Sequence, residues 1–98
     1  MVWTVKLSRK LQKKIEKLPP RPRKRLNFLV KEIQQYGPVQ DKWPNFGKLR
    51  GKIDCYHCHL KKGDPTYVAV WKVTEYEIKI VEIKYAGTHE GVDYNRIC

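Results

Sequence analysis

The stretch that decides the fold is residues 54–86, DCYHCHLKKGDPTYVAVWKVTEYEIKIVEIKYA. It divides into three segments, 54–61, 66–73 and 77–86, and the last two are rich in the β-branched and aromatic residues that favour strands. The tetrapeptide Lys62-Gly63-Asp64-Pro65 has the composition of a turn between the first two segments. Short connections between neighbouring strands predict an antiparallel meander of three strands.

Upstream of this meander, residues 2–7 predict one more strand, and two short helices follow it. Apolar residues recur three and four positions apart on both sides of Pro19-Pro20, as expected for helices that bury one stripe. Ser8 is suited to cap the first helix, and Pro22 is suited to the first turn of the second. Two consecutive helices of this length predict an antiparallel hairpin.

The second helix is expected to stop at Gly37-Pro38, because glycine ends helices and proline cannot continue them. Residues 38–52 follow and are loop-like, with two prolines and two glycines. The predicted fold is α+β: an N-terminal strand, a two-helix hairpin and a three-strand meander, with the helices packed on one face of a small twisted sheet. We expect a single domain over residues 1–98, since so short a chain has no room for a second core.

The positive charge is concentrated in the first half of the chain. Residues 1–52 hold fifteen Lys and Arg against three acids, a net of +12, whereas residues 53–98 hold six against seven, a net of −1. A basic half of this kind favours a polyanion, since bound cations release the counterions of nucleic acid. The same charge could also bind an anionic membrane or an acidic protein, or it could belong to a solvated surface without a partner.

Three cysteines stand in the chain, and an odd number without a regular framework argues against a secreted disulfide scaffold. Polar residues interrupt the N-terminus, so we expect no signal sequence, and no apolar stretch is long enough to span a bilayer. The sequence therefore predicts a protein of the reducing cytoplasm with no membrane partner.

The segment 55–59, CYHCH, carries the first candidate chemistry. Side chains alternate across a strand, so His57 and His59 share one face with Cys55, while the more apolar set with Tyr56 and Cys58 should meet the helices. The imidazoles are then predicted to lie on the uncovered face of the sheet. Two groups that titrate near neutrality are suited to proton transfer.

Three other interpretations of this strand remain open. The histidines could be exposed and inert. A zinc ion could use Cys55, His57, His59 and His89, although ligands at i, i+2 and i+4 on one strand do not close a tetrahedron by themselves. A cysteine nucleophile at Cys55 or Cys58 is disfavoured, because no helix N-terminus or base is evident to lower the thiol pKa.

The C-terminal segment 87–94, GTHEGVDY, carries the second candidate chemistry. It leaves the last strand through Gly87, so its side chains can turn over the sheet edge. His89 supplies a third imidazole, and Tyr94 offers a hydroxyl or a ring on which a base can stack.

The order of these motifs resembles the RelE/ParE toxin superfamily over nearly the whole chain, and most of all its RelE-like and HigB-like branch. The family's Lys-Leu-x-Gly segment is similar to residues 48–51, its Tyr-Arg-x-Arg strand to 56–59, its Tyr-Arg-Val-Ile-Tyr strand to 67–71, and its Gly-Thr-His segment with a following tyrosine to 87–94. The family usually has arginines where His57 and His59 stand here.

The resemblance implies a toxin of a type II toxin–antitoxin system that cleaves ribosome-bound mRNA and is inhibited by a cognate antitoxin. His57 or His59 would be the general base, and His89 or Tyr94 the acid or positioning group. No metal or other cofactor is required if side chains activate the 2′-hydroxyl, stabilise the phosphate and protonate the leaving oxygen. Phosphate charge at the site would be held by the loop cations Lys48, Arg50 and Lys52. The phosphates of ribosomal RNA would be contacted by the basic helices, the second of which begins with Arg21, Arg23, Lys24 and Arg25.

Two alternative functions remain at this point. A ParE-like gyrase inhibitor would share the fold but needs no cluster of groups that titrate near pH 7. A nucleic-acid-binding module without activity would need only the charge asymmetry. Glu82 is a minor candidate: it could orient a histidine, although an ion pair with Lys72 or Lys84 is the simpler expectation.

Overall fold

A mixed five-stranded sheet forms the centre of the computed structural model, which describes residues 2–98. The elements along these residues are β1 (Thr4–Leu7), α1 (Arg9–Glu16), α2 (Pro20–Tyr36), β2 (Gly47–Lys48), β3 (Cys55–Lys61), β4 (Tyr67–Glu75) and β5 (Ile80–Thr88). The α+β class and the order of strand, two helices and meander are confirmed.

The strand order in the sheet is β1-β5-β4-β3-β2. Strands β3, β4 and β5 pair antiparallel, as predicted, and β1 pairs parallel to β5. A parallel neighbour needs a long crossover connection, and the two helices that follow β1 are part of it. They pack on one face of the sheet.

Local signals explain the helix ends. The Ser8 hydroxyl accepts a hydrogen bond from the backbone N–H of Leu11 (3.1 Å) and caps α1, as predicted. The second helix begins at Pro20, two residues earlier than the expected Pro22, and both prolines fit the first turn, where backbone N–H groups have no helical acceptor. Gly37 ends α2 with a φ of 97°, and a Cβ there would lie 2.9 Å from Trp3 Nε1.

The main core lies between the helices and the sheet. The more apolar side chains of β3, those of Tyr56, Cys58 and Leu60, face it as alternation predicted. They meet Leu26, Leu29 and Ile33 of α2 and Trp71 of β4, which are at most 1% exposed.

The structure differs from the sequence prediction in one added strand and in several strand ends, among them those of β4, which runs over Tyr67–Glu75 rather than 66–73. The segment 38–52 contains the short strand β2, which pairs with β3 through Gly47 and Lys48. The last strand begins at residue 80 rather than 77, since residues 76–79 form a turn in which Lys79 has a φ of 54°. The first strand begins at Thr4 rather than at residue 2.

Candidate active site

His57 and His59 lie on the face of the sheet opposite the helices, as strand alternation predicted. The prediction that this face is uncovered is wrong. A second apolar cluster, whose buried members are Leu49, Cys55 and Val70, packs there against side chains of residues 92–98, among them those of Val92 and Ile97. Burial of these apolar side chains holds the C-terminal segment against the sheet.

A disulfide between Cys55 and Cys98 joins this segment to β3 across 43 residues. The sequence argument against disulfides is therefore wrong for this pair. The cysteine count could not reveal it, because the bond depends on the chain returning over the sheet after β5. Cys55 has no thiolate to offer, either as a nucleophile or as a zinc ligand.

Backbone hydrogen bonds set the path by which the segment returns. The N–H of His89 donates to the carbonyl oxygen of Thr66 at 2.7 Å, which extends the β4–β5 pairing by one residue. The chain then turns at Gly91, whose N–H donates to the hydroxyl of Thr88 at 3.2 Å. This turn places His89 and Tyr94 above β3.

The four residues predicted as catalytic come together as one cluster. The ring centroids of His57 and Tyr94 are 5.8 Å apart, those of His59 and His89 are 6.0 Å apart, and those of His89 and Tyr94 are 6.2 Å apart. Two strand residues and two residues from a segment some thirty positions later thus share one site.

The environment lowers the pKa of both strand histidines. Burial is the main cause for His57, and repulsion from His59 and His89 adds to it. Burial also lowers the pKa of His59, together with repulsion from His89 and Lys62. Both imidazoles are therefore predominantly neutral at pH 7 and able to accept a proton.

Burial raises the pKa of Tyr94, with Tyr85 adding to the shift. Its hydroxyl therefore keeps its proton at neutral pH and can donate a hydrogen bond. The cluster thus combines proton acceptors with a proton-bearing phenol.

The two ring nitrogens of His57 have different surroundings. Nδ1 is buried and has no hydrogen-bond partner within residues 2–98. Nε2 faces Gly47 of β2, where a Cβ would lie 3.6 Å from it. Glycine leaves this side of the imidazole free of any side chain from β2, and sequence reasoning missed the position because only the β2–β3 register pairs Gly47 with His57.

The loop cations do not all reach the cluster. Lys52 is directed towards the C-terminal segment, where its Nζ donates to the carbonyl oxygen of Asn95 at 2.7 Å. Lys48 is on the helix side of the sheet, with its Nζ 6.0 Å from the centroid of the Tyr56 ring. Arg50 is exposed in the turn after β2.

The helix cations lie at the start of α2. Arg23 donates from Nη1 to the carbonyl oxygen of Glu16 at 3.1 Å, away from the cluster. Arg25 donates from Nε to the carbonyl oxygen of Leu60 at 3.0 Å, which brings it next to the end of β3. Arg21 and Lys24 line the same groove as Arg25 and His59.

Two minor candidates of the sequence analysis, Cys58 and Glu82, have a defined place. Burial raises the pKa of Cys58 to about 12, so its thiol stays protonated. Glu82 pairs with Lys84 at 3.1 Å, as expected. Within residues 2–98, no group of three or more His, Cys, Asp and Glu side chains could hold a metal ion.

Sequence reasoning also missed Tyr85 and Lys62. Tyr85 packs against the second apolar cluster, beneath the C-terminal segment. Its hydroxyl donates to the carbonyl oxygen of Thr88 at 2.8 Å. Alternation along β5 could not place it, because the β4–β5 pairing shifts by one residue next to Trp71. Lys62 belongs to the predicted turn and carried no signal beyond its charge.

Comparison with known proteins gives structural but no sequence matches. No protein-family model matches the chain, and a search of curated proteins found no match. A free-state mutant of the E. coli toxin RelE, with two arginines replaced by alanine, is similar with a TM-score of 0.73 and 23% identity over 97% of this chain and 92% of that one.

Two further solved structures are similar. The archaeal RelE–RelB complex from Pyrococcus horikoshii matches with a TM-score of 0.71 and 21% identity over 94% of this chain and 100% of that one. The isolated E. coli RelE toxin matches with a TM-score of 0.68 and 22% identity over 95% and 90%. The chain therefore has the RelE fold, as the resemblance of its motifs predicted. Neither helix in residues 2–98 is long and apolar enough to cross a membrane.

Proposed function

We propose that the chain is the toxin of a type II toxin–antitoxin pair and that it cleaves ribosome-bound mRNA by general acid–base catalysis, in one domain and without a metal or other cofactor. The observation that carries the proposal is the convergence of His57, His59, His89 and Tyr94 on one face of a RelE-like fold. A fold alone does not specify an activity, so the argument depends on this cluster.

His57 is the general base in this proposal. Its lowered pKa leaves the imidazole neutral, and its Nε2 lies on the side that Gly47 leaves free. It takes the proton of a ribose 2′-hydroxyl, and the 2′-oxygen attacks the adjacent phosphorus. General base catalysis of this kind contributes about 10²–10⁴-fold to the rate.

His89 is the general acid, and Tyr94 positions the phosphate. As the new bond from phosphorus to the 2′-oxygen forms, the bond to the 5′-oxygen breaks, and that oxygen takes a proton from His89. His89 is exposed, so the leaving 5′-oxygen can reach its imidazole from solvent. The products are a 2′,3′-cyclic phosphate and a 5′-hydroxyl end.

The cations near the cluster hold phosphate charge. Lys52 lies beside the C-terminal segment, and Arg50 is exposed in the neighbouring turn. Cations placed where charge develops in the transition state are worth more than cations distributed over the surface. Lys48, on the helix side, and the basic start of α2 are assigned to RNA phosphates away from the reacting bond.

A cognate antitoxin is the protein partner in this proposal, and the cytoplasm, where ribosomes translate mRNA, is the location. One of the similar structures is a complex of RelE with RelB. The net charge of +11 predicts that the neutralising segment of the antitoxin is acidic, and its binding should weaken with salt.

The decisive experiment is inducible expression of wild type, His57→Ala, His59→Ala and His89→Ala, followed by mapping of mRNA 5′ ends. Wild type should arrest growth and produce cuts in translated mRNA. His57→Ala should lose about 10²–10⁴-fold of the cleavage rate. Arrest with an SOS response and intact mRNA would contradict the proposal and indicate gyrase, and the absence of arrest would indicate a binding module.

A matched pair of tyrosine variants separates chemistry from folding. Tyr94→Phe removes the hydroxyl at the cluster and should slow cleavage by about tenfold or more, the effect of losing one transition-state hydrogen bond. Tyr76→Phe removes a hydroxyl that donates to Asp54 at 2.7 Å in an exposed position. This control should cleave like wild type.

A further inference from the structure

A basic groove of about 480 Å³ leads away from the histidine cluster between the start of α2 and the end of β3. Six charged or titratable side chains line it: those of Arg21, Lys24, Arg25, His59, Lys61 and Lys62. No Asp or Glu is among the lining residues, so the five basic residues have no acidic neighbour within the groove. Such a surface is suited to a chain of phosphates.

Arg25 is an exposed residue of α2 that lines this groove and is held by two contacts. Its Nε donates to the carbonyl oxygen of Leu60, and its guanidinium lies 4.6 Å from the centroid of the Trp43 ring. These two contacts fix the orientation of the side chain while its terminal N–H groups stay available as donors. A fixed guanidinium loses little conformational entropy when it binds a phosphate.

The groove adjoins, at Arg25, a second depression of about 620 Å³, whose lining includes the aromatic residues Phe28, Tyr36 and Trp43 and also the acidic residues Glu32 and Asp41. Arg25 and Pro44 line both depressions. In the second one, the rings of Phe28 and Trp43 are 5.9 Å apart, and Phe28 is 52% exposed. Exposed aromatic rings beside cations are typical of surfaces that stack bases of single-stranded nucleic acid.

We infer that these two depressions form one RNA-binding trough that holds the single strand next to the scissile phosphate, an inference that rests on the proposed function. Its phosphates lie on the cations of the basic groove, and a base two or more nucleotides away stacks on Phe28. His59 stands where the trough meets the cluster, so it marks the entry of the strand. An acidic protein segment would also fit the cations of the basic groove, but Glu32 and Asp41 in the second depression would repel its carboxylates, whereas an uncharged base can stack there.

The first test measures binding of a short single-stranded RNA that carries a 2′-deoxy nucleotide at the cleavage position and therefore cannot be cut. The trough variant is Lys24→Ala with Lys61→Ala and Lys62→Ala, and the control removes the same charge from exposed positions of α1, as Lys10→Ala with Lys13→Ala and Lys14→Ala. The trough variant should bind at least tenfold more weakly than the control at 0.1 M salt. The logarithm of its association constant for RNA should depend less steeply on the logarithm of the salt concentration, with a slope smaller in magnitude by about 2, since each phosphate contact on a single strand contributes about 0.7.

The second test concerns the two ends of the trough. Phe28→Ala should weaken binding of the same RNA by about fivefold or more, the effect of one lost base stack. Imidazole NMR titration of wild type should show that the bound RNA raises the pKa of His59, because a phosphate then lies beside it. The trough variant should not show this rise.

Equal weakening in the trough and control variants, or no response of His59, would overturn the inference. If a poly-glutamate peptide displaced the bound RNA more strongly than a competing RNA of the same charge, that result would also overturn the inference and would assign the groove to an acidic protein. None of these readouts requires cleavage, so RNA bound in the trough but never cut would refute the proposed function alone. Unchanged mRNA cutting by the trough variant would refute the trough alone.

Discussion

The two faces of the sheet are built in different ways. The helix face is covered by α2 and packed with side chains such as Leu29 and Trp71, both 0% exposed. The opposite face is covered by residues 89–98, which lack helix and strand and are joined to it by the Cys55–Cys98 disulfide. There His57 and Tyr94 stay partly exposed. Apolar burial stabilises the first face, whereas on the second a smaller apolar cluster and a covalent bond together hold the titratable groups in place.

Because of this difference, we expect changes on the two faces to affect stability and catalysis in different ways. A change on the helix face should alter the free energy of unfolding and leave the histidine cluster in place. A change in the C-terminal segment should alter the geometry of the cluster as well. Three experiments test this distinction.

The largest expected effect on stability is that of Leu29→Ala. Because the side chain is fully buried, its truncation should lower the free energy of unfolding by about 3–5 kcal/mol. Lys31→Ala, an exposed change on the same helix, should alter it by less than about 0.5 kcal/mol. Urea unfolding checks both values. RNA cleavage per folded molecule should stay at the wild-type level in Leu29→Ala, and a large loss would show that the two faces are coupled.

Cys98→Ser tests the opposite face. Loss of a crosslink across 43 residues should lower the free energy of unfolding by about 2–4 kcal/mol. Cleavage per folded molecule should fall too, since the contacts that remain, the apolar cluster and the hydrogen bond from Lys52 to Asn95, hold Tyr94 near His57 less firmly. Wild type under reductant, the condition that the proposed cytoplasmic location supplies, should behave like this variant. Faster cleavage in either case would mean that the segment obstructs the site instead of completing it.

The smallest expected effect is a dependence of stability on pH that comes from the histidine face. The pKa of His57 is lower in the folded protein than its ordinary value of 6.5, so the unfolded chain binds more protons near that pH. The stability contributed by neutral His57 is therefore present above pH 6.5 and is lost as the pH falls through the folded-state pKa. Thermal unfolding between pH 8 and 5 should show this loss in wild type and a smaller one in His57→Ala. If the unfolding temperature depended on pH equally in the two proteins, burial of His57 would have no energetic cost.

The sequence alone determined those features that depend on neighbouring residues. The cap at Ser8, the end of α2 at Gly37 and the split of β3 into an apolar face and a histidine face follow from backbone geometry and side-chain alternation within a few positions. The charge asymmetry is likewise a property of composition. These features were enough to predict the α+β class and the two strand histidines, while His89 and Tyr94 were predicted from the 87–94 segment and the resemblance of the motifs to a known family.

The tertiary structure decided what depends on residues far apart in the chain. Three features each join separate segments of the chain. The β2–β3 register places Gly47 opposite His57, the shifted β4–β5 pairing turns Tyr85 towards the second apolar cluster, and Cys98 returns to Cys55. No local pattern encodes such contacts, because their free energy comes from burial and pairing that exist only once the chain has folded. The sequence therefore supplied the imidazoles, while the fold decided that His89 lies beside His59 and that the C-terminal segment covers their face.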